Sequence, residues 1–153
     1  MPQAFFVVGH AQWGKSTTLA ALAGNLGPHG RTLYCDSRRF QVWHMSNDDI
    51  PERWKEIVEQ LNPSEQSHVV MALCPKPDVQ PLLKSLLQKK YDLFFWIIQR
   101  SHNGYPRSQG DGRVISLDEE QVLRLLGTVE VFTQLADHSA RATAFENFIK
   151  THR

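Results

Sequence analysis

The chain has 153 residues, 41% of them hydrophobic, and a formal net charge of +1. That length suits one domain, and that apolar share supports a packed core and excludes a wholly disordered chain. With 17 basic and 16 acidic residues, there is no strong nucleic-acid or membrane-surface signal in the charge.

Ala4 to Val8 is a continuous apolar run ending at Gly9, the pattern of a strand buried on both faces. Ser16 to Leu26 reads as a helix with Leu19, Leu22, Ala23 and Leu26 on one face, stopped by Gly27-Pro28-His29-Gly30. Arg31 to Cys35 is a second short strand, followed by Asp36. Ser37 to Asp49 is polar and irregular apart from Phe40, Val42, Trp43 and Met45. Pro51 to Leu61 has proline in its first turn and apolar residues at helical spacing. His68 to Leu73 is a third strand, closed by Cys74-Pro75-Lys76-Pro77, and Val79 to Leu87 supplies another helix. Leu93 to Ile98 is the strongest strand, and its lack of alternation argues for an interior place. Ser101 to Gly112 is a polar loop, then Val114 to Leu117 and Val129 to Phe132 read as strands around a helix from Glu119 to Leu126. Ala140 to Lys150 is the last helix.

Alternation of this kind predicts an α/β three-layer sandwich with a mainly parallel sheet of about five strands, in a single domain spanning 1–153. The apolar run at Ala4 is too short to cross a bilayer or serve as a signal core. The expectation is a soluble cytoplasmic protein with no membrane partner. Cys35 and Cys74 end apolar runs, which predicts buried reduced thiols rather than a disulfide framework. No H-x-x-x-H or C-x-x-C spacing occurs, which argues against zinc.

The strongest chemical signal is Gly9-His10-Ala11-Gln12-Trp13-Gly14-Lys15-Ser16, which fits G-x-x-x-x-G-K-[ST] between a strand and a helix. Gly9 and Gly14 permit the tight turn that aims successive N–H groups at phosphate oxygens. The helix start adds partial positive charge. Lys15 would reach the β- and γ-phosphates, the Ser16 hydroxyl would ligate Mg²⁺, and Thr17 would lie near the α-phosphate. On these residues the chain resembles the P-loop NTPase superfamily, which implies a P-loop fold and Mg·ATP (or GTP) as ligand. The guanine-reading N-K-x-D motif is missing, since Asn47-Asp48-Asp49 lacks the lysine, and this favours ATP.

The compact length and the order of segments resemble small-molecule P-loop kinases of the gluconate-kinase type. That resemblance implies a second-strand acid, here Asp36, that orients or deprotonates an acceptor or holds Mg²⁺ through water. An ordinary turn-capping Asp is the alternative. Arg38 and Arg39 would grip an anionic substrate or face solvent. Arg100 or Arg107 would reach the transferring phosphoryl group from a lid formed by the loop around Gly104, Gly110 and Gly112, unless that loop is plain surface. The third strand ends in Cys74-Pro75, with no acid until Asp78. Two functions follow: an ATP-dependent phosphotransferase acting on an unidentified small-molecule acceptor, or a nucleotide-dependent switch that reports to a partner protein. Loop aromatics such as Trp13 suit the switch, and assembly is left open between monomer and homodimer.

Overall fold

The computed structural model describes residues 1–10, 14–24, 30–99, 115–134 and 136–153. The elements run β1 (Gln3–Val8), α1 (Lys15–Ala23), β2 (Arg31–Cys35), β3 (Arg38–Val42), α2 (Pro51–Gln60), β4 (His68–Leu73), a 3₁₀ turn (Pro77–Val79), α3 (Gln80–Gln88), β5 (Asp92–Ile98), α4 (Leu117–Leu126), β6 (Thr128–Phe132) and α5 (His138–Thr151). The six strands form one sheet in the order β2-β3-β4-β1-β5-β6. Every neighbouring pair is parallel except β2 with β3.

β1 is buried along its whole length because it sits between β4 and β5 and is covered on both faces. Its alternate side chains feed two separate cores, as the two-residue strand period requires. Ala4, Phe6 and Val8 pack with Trp54 and Ile57 of α2, Leu83 and Leu86 of α3, and Leu123 of α4. Phe5 and Val7 pack with Leu19 of α1 and with Phe145, Phe148 and Ile149 of α5. The architecture is therefore a three-layer α/β sandwich: α2, α3 and α4 on one face, α1 and α5 on the other.

Two local expectations are corrected. The segment after Cys35 is not irregular: Asp36 (φ 62°) and Ser37 (φ 67°) make a two-residue turn, and β3 runs back antiparallel with Cys35 opposite Arg38. Two consecutive positive-φ residues give the type I′ geometry whose twist suits a hairpin. Phe40 and Val42 face inward while Arg39 stays exposed, the alternation of a strand with one buried face. The second correction concerns Val114 to Leu117. Leu117 begins α4, and Ile115 and Ser116 belong to no strand. Ser116 ends that approach by accepting a hydrogen bond from the Glu119 N–H, while the Glu119 carboxylate accepts from the Ser116 N–H, a reciprocal capping box. The loop from Ser101 to Gly112, with Arg107 and the preceding Arg100, lies outside the described residues, as do Ala11, Gln12, Trp13 and the expected helix end at Leu26.

Candidate phosphate-binding site

The carboxyl ends of the parallel strands gather the loops that follow β1, β3, β4, β5 and β6. β4 and β5, the strands flanking β1, are joined to each other by a connection that passes over it, so a crevice opens beside β1 where open α/β sheets bind ligands. Gly9 leaves β1 with its N–H donating to the Leu73 carbonyl at 3.0 Å. Gly14 then precedes α1 with φ 85°, a left-handed conformation that glycine adopts without penalty.

α1 differs from the other four α-helices in how it starts. α4 and α5 are capped by the side chains of Ser116 and Asp137, and α2 and α3 carry proline in the first turn. α1 has no side-chain cap among the described residues, no proline and no acid in its first turn. Its first N–H groups thus have no side-chain acceptor among the described residues, and a helix start of this kind favours an anion.

Lys15, the first residue of α1, is only 6% exposed. Its ammonium donates to the His10 carbonyl at 3.0 Å, bridging the loop. Burial lowers its pKa from the ordinary lysine value, while the carboxylates of Asp49 and Asp48 act in the opposite direction. Cys74 lies nearby, but burial pushes its thiol up to about 11, so it is neutral at pH 7. Beside Lys15, Ser16 is half-buried, Thr17 is exposed, and Thr18 is fully buried with an Oγ1 that has no hydrogen-bond partner.

His10 is buried. Its Nε2 lies 3.0 Å from a Glu119 carboxylate oxygen and its Nδ1 lies 3.6 Å from Cys74 Sγ. Burial raises the Glu119 carboxyl, but hydrogen bonds from the Ser116 N–H and from His10 outweigh it and hold the group below the usual glutamate range. The imidazole therefore ties the residue after Gly9 to α4 and to the segment following β4.

The acidic residues at this edge are not the expected ones. Asn47 joins the loop after β3 to the end of β4: its Nδ2 donates to the Cys74 carbonyl at 2.8 Å and its Oδ1 accepts from the Cys74 N–H at 2.7 Å. Asp48 and Asp49 follow directly. Asp48 pairs with Lys76, whose hydrogen bond lowers the Asp48 pKa. The Asp49 carboxylate accepts from the Ser46 N–H and hydroxyl at 3.1 and 3.2 Å. In the sequence, Asn47-Asp48-Asp49 stands out only as a guanine motif without its lysine. The signal available was an acid pair just beyond a short alternating strand.

Asp36, Arg38 and Arg39 are not brought to Lys15. β2 runs against β3, so Asp36 sits at the amino edge of the parallel sheet. Its carboxylate pairs with Arg38 at 3.0 Å and with Arg153. Arg38 also donates to the Gln3 side chain at 2.6 Å and to the carbonyls of His152 and Ile149 at 2.8 and 2.7 Å. Gln3 begins β1 and Gly9 follows its end, a separation of roughly 20 Å along an extended strand. Asp36 thus cannot join Ser16 on a metal or address an acceptor held at Lys15. Arg39 is exposed on the outer hairpin, opposite Tyr34.

The start of α5 approaches the loop instead. A Cβ added at Gly14 would lie 2.9 Å from Arg141 Nη1 and 3.2 Å from His138 Cε1. Arg141 is fully buried, and burial lowers its pKa. Nothing in the sequence around Arg141 signals this approach to Gly14; the packing of α5 on α1 delivers it.

Among the described residues, no group of three or more His, Cys, Asp or Glu side chains is arranged to hold a metal ion, and no helix is long and apolar enough to cross a membrane. No protein-family model matches the chain, and no curated protein matches it.

Proposed function

We propose that this chain is a Mg-dependent, ATP-binding P-loop protein that acts as a small phosphotransferase. One observation carries the reading: a buried lysine opens a helix with no side-chain cap among the described residues, directly after a left-handed glycine, beyond the carboxyl end of an interior parallel strand. A buried ammonium is costly unless an anion compensates it, and a triphosphate supplies that charge at this point. The phosphate-loop N–H groups and Lys15 would hold the β- and γ-phosphates. Ser16 would contribute its hydroxyl to Mg²⁺, most of whose other ligands are phosphate oxygens and water; such a site needs no all-protein cage. The bound nucleotide supplies the transferable phosphoryl group.

In this reading Asp48 and Asp49 take the part once expected of Asp36. They follow a parallel strand, they are held beside the end of β4 by Asn47, and their charge bears on Lys15. One of them would orient the acceptor hydroxyl or water on the metal.

A second reading, a nucleotide-dependent switch for a partner protein, is favoured by a specific arrangement. Asp48 is engaged by Lys76 and Asp49 by Ser46, and β4 itself ends in Cys74-Pro75 without an acid. Such a protein binds nucleotide and turns over only when a partner or closure frees one carboxylate. Calorimetry with Mg·ATP and Mg·GTP on wild type and Lys15→Ala tests both readings. Unchanged affinity in the variant overturns them. Tight binding with turnover at background across sugars, nucleosides and nucleotides selects the switch.

A further inference from the structure

We propose that the cleft between α3 and α4 is a second small-molecule site, shaped for a compact primary amine with an apolar body. The cleft measures about 320 Å³, within the range of small-ligand sites. Val79 and Leu83 line it from one side, Val122 and Leu123 from the other, and Pro75 and Pro77 complete its apolar surface. Prolines offer no N–H groups, so this surface rewards hydrocarbon rather than a polyhydroxylated ligand.

Its few polar groups decide the sign of the preferred charge. Lys76 is engaged by Asp48, and Glu119 is engaged by His10 and by the Ser116 N–H. Gln80 is neutral. Asp118, at the mouth of the same cleft, is exposed and makes no ion pair or hydrogen bond among the described residues. An entering ammonium meets a carboxylate; an entering carboxylate meets only cations already paired. Glu119 both lines this cleft and holds His10, so the occupant lies next to the phosphate loop. Binding of the amine needs no nucleotide and stands apart from the Mg·ATP reading.

The test is an amide-shift titration of the full chain, free of nucleotide at pH 7, with 2-phenylethylamine, 2-phenylethanol and phenylacetate. The three probes share a body and differ in charge. The expected result is perturbation centred on Val79, Leu83 and Val122, with the amine bound about threefold tighter than the alcohol, as an exposed ion pair allows, and phenylacetate weakest. Val122→Phe, at a half-buried position, should weaken all three by about tenfold by filling the cleft. Asp118→Asn, at an exposed position, should reduce the amine to the affinity of the alcohol and leave the alcohol unchanged. Phenylacetate binding as well as the amine, shifts centred elsewhere, or indifference to both substitutions overturns the proposal. A parallel Mg·ATP titration keeps the two questions apart: its failure removes the nucleotide-binding reading and leaves the amine site standing.

Discussion

Asn47 holds Cys74 by both of its backbone polar groups, and by doing so docks the loop after β3 against the end of β4. The two residues are 27 apart in sequence and both are buried. This docking carries Asp48 and Asp49 to the edge where Lys15 stands, and their charge acts on its ammonium.

Replacing Asn47 by Ala leaves the Cys74 N–H and carbonyl buried without their partner. The expected cost is about 2–4 kcal/mol in denaturant unfolding, because two buried groups lose compensation at once. Affinity for Mg·ATP should fall as well, since the acidic loop loses its anchor.

Lys15 ties stability to pH. Burial depresses its folded pKa below the unfolded value, so the unfolded chain binds more protons between those two values. Stability therefore rises with pH through the lowered pKa and levels off above the ordinary lysine value of 10.5. Lys15→Met should lose that rise. Near pH 7 without nucleotide it should be more stable than wild type by on the order of 1 kcal/mol, and Mg·ATP should add nothing to its melting temperature.

Gly14→Ala meets two obstacles, a φ of 85° and a Cβ placed 2.9 Å from Arg141 Nη1. It should cost about 1–2 kcal/mol by thermal or denaturant unfolding and shift the resonances of α5. Unchanged stability would mean that Arg141 does not pack on the loop as described.

Asp36→Asn separates structure from function. Its carboxylate serves Arg38 and Arg153 at the amino edge, so the variant should lose about 1–3 kcal/mol of stability. Nucleotide affinity should stay within about twofold of wild type, because the two places are independent. A loss of binding at unchanged stability would return Asp36 to the site.

The cysteines should be silent in the folded protein. Burial raises the thiol pKa of both, Cys74 to about 11. At pH 8 neither should react with a thiol reagent until denaturant is added, when both should react.

The alternation of apolar strands and amphipathic helices was readable because each depends on neighbours a few residues away. So was the placing of Gly9 at the end of the first strand and of Gly14 directly before the first helix. The hairpin at Asp36-Ser37 was hidden because neither turn residue is glycine, although both adopt positive φ. The absence of glycine made the following strand look like loop.

By itself the sequence determined the layered α/β architecture, the buried first strand and the start of a helix directly after Gly14, all products of local spacing and side-chain character. Only the tertiary structure decided which acids share an edge with Lys15. A two-residue turn reverses the chain and sends Asp36 to the far end of the sheet, while Asn47, His10–Glu119 and Arg141 are joined to the loop or its surroundings by contacts between distant segments. Strand direction and long-range docking are collective properties of the packed sheet, and no short window of residues carries them.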